Sequence, residues 1–549
     1  MSKLSKRSLG LPSTGKCVYL DGWWDFSFEG GSWQKQPVPG CFDASGEYHF
    51  RKGRGTYRRQ VECAGGLSEL CCDGVGLRAE FFWDGEPIGQ EFTAFTPVKL
   101  RFDAGAPGCH ELQIVCDNTP EDTPEAQFRK EFEFYGYGGI YRPVSLRSLP
   151  SVYFSYVRVL PIPDDGSIVL HTELCGGTNP IEVLIDGHSC GTLPGPGEAT
   201  IEVPNARLWS LEEPNLHHLE LQCGQDIYTC RFGLRKIEAK NGRLLLNGQP
   251  MKVAGVNRHD LFPDTGAYVS PAQLRHDLTA IKSAGFNMIR GAHYSQSQAM
   301  LDLADELGIL VWDEILGWEY PAESLANPEF QRRQCDALTR MIRASINHPC
   351  IVLWGFLNEA ATDSPGAREC IGKLCEVARA LDPSRPLTYA TMLPDKDICL
   401  DLIDVISLNI YPGWYFGTSF PFDGTFVRTY MEELLAKLRA RPELAGKPLL
   451  ISEIGGAALL GDHSGRRWSE EYQAKLVECA VRNALSLPEC AGLLLWQFCD
   501  SPVEDGKWMM GRPRGYNNKG LVDEYRRPKL AWRLFPQLLE ECGILTTNH

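Results

Sequence analysis

The pattern of apolar and polar positions divides the chain into two kinds of sequence. From about residue 17 to 238, short apolar runs alternate with Gly and Pro at close spacing, and apolar residues do not recur at helical period. From about residue 240, continuous apolar runs alternate with amphipathic stretches of helical period. The first pattern predicts β-sandwiches. The second predicts strand–helix units built around a parallel sheet.

The β-rich part is predicted to form two domains. Residues 1–150 have the short strands and frequent turns of a jelly-roll sandwich, the kind of domain that binds sugars. A Gly-rich aromatic segment, 132–142, closes this domain, and we expect it to pack mainly on its own rings. Residues 151–238 form a second region of short predicted strands. Its length, under about 100 residues, favours an Ig-like β-sandwich.

The third predicted domain, residues 239–549, is a (β/α)₈ TIM barrel. Its predicted strands are 252–256, 288–292, 309–314, 351–359, 387–390, 405–411, 449–453 and 492–498. Its predicted helices are 272–284, 298–307, 332–347, 367–381, 429–439, 470–485 and a last one near 529–540. Eight strands in about 300 residues fit such a barrel. The alternative is an open doubly wound sheet, which we disfavour because no Gly-rich fingerprint follows the first strand.

In two of the predicted strands an apolar run ends in one uncharged polar residue followed by a glutamate. The apolar run 351–357 leads into Asn358 and Glu359, and the run 448–451 leads into Ser452 and Glu453. An unpaired carboxylate is too costly to bury in a core, so each Glu must point into a site at the end of the sheet. In a (β/α)₈ barrel that end carries the active site.

Other polar and aromatic residues fall at the same strand ends. They are Arg290 and His293 at the end of strand 2, Asp313 and Glu314 at the end of strand 3, Asn409 and Tyr411 at the end of strand 6, and Trp496 near the end of strand 8. The set contains neither a His-rich metal pattern nor a Ser–His–Asp order. Two carboxylates with an aromatic platform suit glycoside hydrolysis.

Structural explanations compete with the catalytic ones. For Asp313 and Glu314 we favour a buried ion-pair network with Arg290 over direct chemistry. For Glu359 and Glu453 the alternative is a salt bridge with an arginine at the rim, which we disfavour for the two taken as a pair. Trp496 alone would more often be a core residue than a platform.

Composition narrows the class of protein. The formal net charge of −15 argues against non-specific nucleic-acid binding. The 20 cysteines show no CxxC pair, which argues against a zinc site or a redox motif. The basic start, Met1 to Arg7, precedes no apolar signal segment, and no apolar run is long enough to span a membrane. We therefore expect a cytoplasmic protein that does not bind membranes.

At this level of detail the chain resembles glycoside hydrolase family 2, and within it the β-glucuronidases. The resemblance covers nearly the whole length, and its motifs occur in the family's order. They are Leu20-Asp21-Gly22-Trp23-Trp24, Trp209-Ser210, Pro214-Asn215-Leu216, Leu246-Asn247-Gly248, Gly255-Val256-Asn257-Arg258-His259-Asp260, Asn347-His348-Pro349, Asn358-Glu359 and Ser452-Glu453.

The resemblance implies a retaining exo-acting mechanism that needs no cofactor and no metal. Glu453 would be the nucleophile and Glu359 the acid/base, with carboxyl groups roughly 5–5.5 Å apart. Arg290 and Tyr411 would keep Glu453 ionised, and Asn358 would bind the sugar 2-hydroxyl. His293, Asn409 and Trp496 would complete the sugar site.

Recognition of a uronic acid requires a cation for the sugar carboxylate. The segment 514–520 resembles the Asn-x-Lys motif of the β-glucuronidases, and it places Asn517 and Lys519 two apart, so that both point the same way if the segment is extended. Tyr415 resembles a residue that helps bind the carboxylate. Two positions depart from the family pattern: Glu133 stands in place of an Asp that contacts the sugar, and Pro513 stands in place of an Arg.

These departures leave other sugars open. The alternatives are a β-galacturonidase or β-galactosidase of the same family and, with little weight, a carbohydrate-binding protein with an inactive barrel. The segment after strand 3, 317–321, leads quickly into the next helix, so we expect an open aglycone site that admits bulky or oligosaccharide glucuronides. The resemblance also suggests a gut-bacterial homo-oligomer.

Overall fold

Buried and exposed side chains alternate along the first strands, which form two sheets that face each other across a core. In the strand Gly22–Phe28, Trp24 and Phe26 are fully buried, whereas Trp23 is 67% exposed. This computed structural model describes residues 17–419, 422–504 and 511–544, so the basic N-terminal residues lie outside the described part. One sheet contains, in spatial order, Cys17–Tyr19, Val144–Ser148, Leu67–Cys72 and Val98–Asp103. The facing sheet contains Gln34–Val38, Gly22–Phe28, Arg54–Cys63, Gly108–Asp117, Arg78–Trp83 and Glu86–Glu91.

A second pair of antiparallel sheets follows. One contains Tyr153–Ile162, Ser167–Cys175 and Gly197–Glu202, and the other contains His188–Leu193, Ile181–Ile185, His217–Cys223 and Asp226–Phe232. Apolar residues of both sheets, among them Ile168, Ile181 and Leu219, share one buried core. A small sheet of Ile237–Lys240, Arg243–Leu246 and Gln249–Met251 leads into the last region.

The last region is a closed barrel of eight parallel strands. In order they are Val253–Arg258, Met288–Gly291, Leu310–Glu314, Ile351–Asn358, Leu387–Thr391, Ile406–Asn409, Leu449–Ile454 and Cys490–Leu495. Strand 1 pairs with strand 8, which closes the barrel. The predicted fold class, β-sandwiches followed by a (β/α)₈ barrel, is confirmed. Strand 8 ends at Leu495, so Trp496 lies just beyond it.

The helices are Pro271–Ser283, Gln298–Leu307, Ala322–Leu325, Pro328–Ser345, Pro365–Leu381, Gly424–Arg439, Glu470–Ser486 and Gln537–Glu541. Local sequence sets several of their ends. Ser270 and Gln273 form a reciprocal capping box at the first helix, and Gly308 ends the second in the left-handed conformation. None of the helices among the described residues has both the length and the apolar character needed to cross a bilayer.

One of the helix predictions is wrong. The segment 392–405, between strands 5 and 6, for which the sequence analysis gives no helix, is fully described and contains none. The last predicted helix, 529–540, is reduced to Gln537–Glu541, preceded by the short 3₁₀ turn Trp532–Leu534. Lys529 is buried and its Nζ donates to Asp500 Oδ1 at 2.7 Å. This contact fixes the chain to the segment that follows strand 8, and no helix begins at Lys529.

The first domain packs against the mouth of the barrel. Phe95 stacks on Tyr294 with ring centroids 3.7 Å apart, and the Tyr135 amide donates to Pro502 O at 3.0 Å. The ring of Phe134 lies 5.1 Å from His259. The aromatic segment 132–142 therefore contacts the rim of the barrel as well as its own rings, and it brings the charged side chains of Glu133 and Arg142 to that rim.

Candidate active site

Glu453, at the end of strand 7, is held by two donors. Its Oε1 accepts from Arg290 Nη1 at 2.8 Å, and its Oε2 accepts from Tyr411 OH at 2.6 Å. Arg290 is fully buried and Glu453 is 3% exposed. Burial beside Glu453 raises the pKa of Tyr411 well above 10, so the phenol remains a donor. Both carboxylate oxygens thus receive a hydrogen bond that favours the ionised form.

Glu359 follows strand 4 in a different environment. Its φ of +51° turns the chain at the rim, and its amide donates to Ala390 O at 2.9 Å. Among the described residues one side chain donates to its carboxyl group: Asn409 Nδ2 lies 2.7 Å from Glu359 Oε1. Burial, followed by repulsion from Glu453, raises the pKa of Glu359 to about 8. The two carboxyl groups therefore differ in the way that an acid and a nucleophile must differ.

Strand 6 links the two carboxylates. Asn409 pairs with Glu453 in the sheet, and its Oδ1 accepts from Ser452 Oγ at 2.8 Å. Its Nδ2, besides contacting Glu359, donates to Asn358 Oδ1 at 3.0 Å. Strand 6 pairs with strand 7, which carries Glu453, and its Asn409 contacts Glu359 at the end of strand 4, so any shift of strand 6 would move both carboxyl groups.

The floor of the site contains two polar atoms without partners among the described residues. They are Asn358 Nδ2 and His293 Nε2, both buried. The ring of His293 stacks on Trp496, with centroids 4.9 Å apart and planes 16° from parallel. A buried polar atom that lacks a partner is costly, so a bound hydroxyl would be favourable at either position.

A cluster of polar and cationic groups lies at the far side of the site. Lys519 Nζ donates to Tyr415 OH at 2.7 Å, and Arg512 Nη2 lies 3.0 Å from the same hydroxyl. Asn517 Nδ2 donates to Glu133 Oε1 at 3.1 Å, and Arg512 forms an ion pair with Glu133. We call these five residues the cation cluster.

Lys519 is 1% exposed, and in the described ranges no carboxylate oxygen lies within 4 Å of its Nζ. Burial, and next the positive charge of Arg512, lower its pKa well below 10.5. Burial also lowers the pKa of Arg512 to about 10. The charges of Glu453 and Glu359 oppose the lowering of the Lys519 pKa. Lys519 Nζ lies 5.3 Å from the ring centroid of Tyr411, whose hydroxyl donates to Glu453, so the lysine and the carboxylate share one pocket.

The sequence suggested an extended segment at 514–520. In the structure this segment, which supplies Asn517 and Lys519, is extended only in part. The short strand Tyr516–Asn517 pairs with Ser501–Pro502, and the chain then turns at 518–519. Asn517 Oδ1 accepts from the Lys519 amide at 3.3 Å, which closes the turn. Both side chains still reach the cluster, but a turn brings them there.

The structure brings all the predicted site residues to one barrel mouth. Of the two acids on strand 3, Glu314 pairs with Arg290 at 3.1 Å, whereas Asp313 Oδ1 accepts from the Gln296 amide and makes no ion pair with that arginine. Burial raises the pKa of Glu314 to about 7, and Arg290 opposes that shift.

Two residues that contribute to the site, Arg512 and Glu319, received no role from the sequence. Arg512 reaches the cluster, whereas Arg514, on the other side of Pro513, pairs with Glu524 outside it. The backbone N–H of Glu319 donates to Asn358 O at 2.8 Å. The negative charge of the Glu319 side chain helps to raise the pKa of Glu359. Both lie in irregular segments, where no periodicity indicates which way a side chain points.

These features define a glycosidase of the (β/α)₈ type, and comparison with known proteins agrees. The model of the glycosyl hydrolases family 2 TIM barrel domain matches residues 237–535. The chain belongs to this family and is a glycoside hydrolase.

Two solved structures and one curated relative illustrate the relationship. A GH2 β-galacturonidase from Eisenbergiella tayi, bound to galacturonate, is 33% identical with a TM-score of 0.89, covering 99% of this chain and 100% of its own. A Faecalibacterium prausnitzii β-glucuronidase is 27% identical with a TM-score of 0.86, covering 97% and 98%. A β-glucuronidase of Streptococcus agalactiae is 27% identical over 507 residues, 84% of this chain and 83% of that protein.

Proposed function

We propose that the protein is a retaining exo-β-glucuronidase, which hydrolyses β-D-glucuronides to glucuronate and an aglycone by double displacement. The observation that carries the proposal is the buried Lys519, whose Nζ lies 5.3 Å from the ring of Tyr411, the residue that donates to Glu453. A cation kept at a sugar site without a carboxylate partner favours an anionic sugar, because a ligand carboxylate would offset its burial.

In the first step Glu453 attacks the anomeric carbon while Glu359 protonates the leaving oxygen. Attack requires an ionised carboxylate, and the hydrogen bonds from Arg290 and Tyr411 favour that form. Protonation requires a carboxylic acid, and a pKa of about 8 keeps Glu359 protonated at neutral pH. The product of this step is a glycosyl-enzyme ester on Glu453 with the aglycone released.

In the second step Glu359, now ionised, removes a proton from water, which attacks the anomeric carbon and releases Glu453. Two inversions retain the configuration. Asn358 Nδ2 would donate to the sugar 2-hydroxyl, a contact that strengthens in the oxocarbenium-like transition state. This assignment is supported by the lack of a protein partner for that amide among the described residues.

The cation cluster would bind the far end of the ring. Lys519 and Asn517 would contact the sugar carboxylate, with Tyr415 OH as a further donor. A panel of nitrophenyl β-glucuronide, β-galacturonide, β-galactoside and β-glucoside tests the specificity. We expect the glucuronide to give the highest kcat/KM and the neutral sugars to be at least about 10²-fold poorer. Preference for a neutral sugar would refute the proposal.

A second candidate is β-galacturonidase activity, which two observations favour. The E. tayi relative bound to galacturonate has higher identity to this chain than the glucuronidases described above. In addition, Glu133 stands where the family pattern has Asp, and it pairs with Arg512. Since glucuronate and galacturonate differ only in the orientation of one hydroxyl, the same panel separates them.

The open aglycone site, the homo-oligomer, the gut-bacterial origin and the cytoplasmic location remain proposals. The open site is supported by the short connection 315–321 before the helix Ala322–Leu325. Turnover of a glucuronide-terminated oligosaccharide would test it, and light scattering after size-exclusion chromatography would give the number of subunits. An aglycone limit no larger than nitrophenyl would contradict the open site.

A further inference from the structure

The ring of His293 has two nitrogens, and its neighbours determine which of them carries the proton. Burial, and next the charge of Arg290, lower the pKa of His293 well below 6.5, so the ring is neutral. Its Nδ1 lies 3.1 Å from Glu314 Oε1 and 3.2 Å from Arg290 Nη2. Its Nε2 lies 4.0 Å from Glu453 Oε1. When Glu314 is ionised, Nδ1 therefore either donates to Glu314 or accepts from Arg290.

The hydrogens on Arg290 distinguish these possibilities, because a guanidinium has five N–H groups. Nε and Nη2 donate to the two oxygens of Glu314, each at 3.1 Å. The second hydrogen of Nη2 goes to Asn358 Oδ1 at 2.9 Å. Nη1 donates to Glu453 Oε1 at 2.8 Å and to Asn257 Oδ1 at 3.2 Å. Every N–H is used, so none is left to donate to the ring.

The two amides in this count have fixed orientations. Asn257 Nδ2 donates to the carbonyls of Ser452 and Leu495, at 2.9 and 3.2 Å, so its oxygen must face the guanidinium. Asn358 Oδ1 also accepts from Asn409 Nδ2, so its own Nδ2 points into the site. Reversing either amide would set two donors against each other.

We propose that Glu314 is a positioning residue that holds His293 as the Nδ1–H tautomer, so that the bare Nε2 accepts a hydrogen bond from a sugar hydroxyl. The inference deepens the proposed function and rests on it for the identity of the ligand. A carboxylate that orients a histidine through Nδ1–H is a common way to fix the role of the other nitrogen.

The tautomer matters for Glu453. An Nε2–H group would place a further partial positive charge near Glu453 Oε1, which lies 4.0 Å away and is too distant for a direct hydrogen bond. A bare Nε2 leaves that oxygen to its arginine donor. It also lies on the same floor as the unpartnered Asn358 Nδ2, which gives the sugar one acceptor and one donor. Trp496, stacked on the ring, restricts its rotation.

The tautomer can be observed directly by ¹⁵N NMR of histidine-labelled full-length enzyme at pH 8, where Glu314, with a pKa of about 7, is ionised. The resonances of His293 are assigned by their loss in His293→Gln. We expect a protonated, pyrrole-like Nδ1 and a bare, pyridine-like Nε2. His259 is the internal reference, because its Nδ1 faces a hydroxyl, Tyr294 OH at 3.3 Å, and not a carboxylate. A proton on Nε2 of His293 would overturn the proposal.

A kinetic cycle tests whether Glu314 acts through the histidine. On the uronide that the enzyme hydrolyses best, Glu314→Gln should lower kcat/KM by about 10- to 100-fold, the range seen when an orienting partner is lost. In a His293→Ala background the same substitution should cost distinctly less. An equal loss in both backgrounds would mean that Glu314 acts through Arg290 alone, against the proposal.

Circular dichroism establishes that each variant is folded. Should the wild-type enzyme turn over none of the uronides, the proposed function fails, while the NMR spectrum still decides the tautomer.

Discussion

The two ends of the pocket are built in different ways. The carboxylates Glu359 and Glu453 sit at the ends of barrel strands 4 and 7, and the residues that hold them, Arg290 and Asn409, come from strands 2 and 6 of the same barrel. The cation cluster is assembled from the segment after strand 8, the loop after strand 6 and the first domain. Reaction chemistry therefore depends mainly on the barrel strands and on Tyr411 just beyond strand 6. Recognition of the charged end of the sugar depends instead on loops and on the first domain, which can change without disturbing the strands.

This contrast gives a physical reason for one scaffold to serve several sugars. Strand ends are fixed by the sheet register, so the acid and the nucleophile stay in place. A substitution such as Glu133 in the first domain alters what surrounds Arg512 and leaves the strands untouched. Each of the following changes probes one end of the pocket and leaves the other as reference.

The largest expected effect is that of Glu453→Gln. An amide cannot form the glycosyl-enzyme, so kcat should fall by about 10⁵-fold with every substrate, in the range observed for loss of a nucleophile. Steady-state kinetics on nitrophenyl uronides measures the loss, and Glu478→Gln, at an exposed helix position paired with Arg482, is the matched control. Residual turnover above about 1% would place the nucleophile elsewhere.

Glu359→Gln should act in proportion to the leaving group. With alkyl uronides, which need protonation, kcat/KM should fall by roughly 10³-fold, and with activated aryl uronides by much less. Because the acid must be protonated, wild-type kcat/KM should decrease as pH rises through about 8, the pKa of Glu359. The variant should lack this decrease on aryl substrates. Equal losses for all leaving groups would contradict the acid role.

At the other end, Lys519→Ala should lower kcat/KM for uronides by about 10²- to 10³-fold, the cost of removing one partner of a buried charged pair. Weak activity on a neutral glucoside should be unchanged. Arg514→Ala is the matched control, because that arginine is nearby in sequence but pairs with Glu524 outside the cluster. Equal losses on charged and neutral sugars would make Lys519 a structural residue.

The smallest expected effect is that of Glu133→Gln. The charge of Glu133 neutralises Arg512 and repels an incoming carboxylate, so its removal should lower KM for uronides about 3- to 10-fold with kcat unchanged. Initial rates over a range of uronide concentrations separate the two constants. An increase in KM would instead mean that Glu133 holds the cluster in its binding geometry.

The sequence by itself determined the barrel, the positions of its eight strands and the two carboxylates at their ends. Continuous apolar runs of strand length have one low-cost arrangement, a parallel sheet buried on both faces, and a Glu at the tip of such a run must leave the core. The sequence failed at the last helix, where tertiary contacts of Lys529 with Asp500 override the local pattern.

Only the tertiary structure decided the contacts of the irregular segments. Arg512 enters the cluster whereas Arg514 pairs outside it, and Glu133 reaches the cluster from the first domain. Arg290 donates all five N–H groups to oxygen acceptors. These contacts join side chains that are far apart in sequence. The periodicity of apolar residues along the chain does not predict these contacts. They follow from the packing of one domain on another, which sets the distances at which charges and hydrogen-bonding groups act.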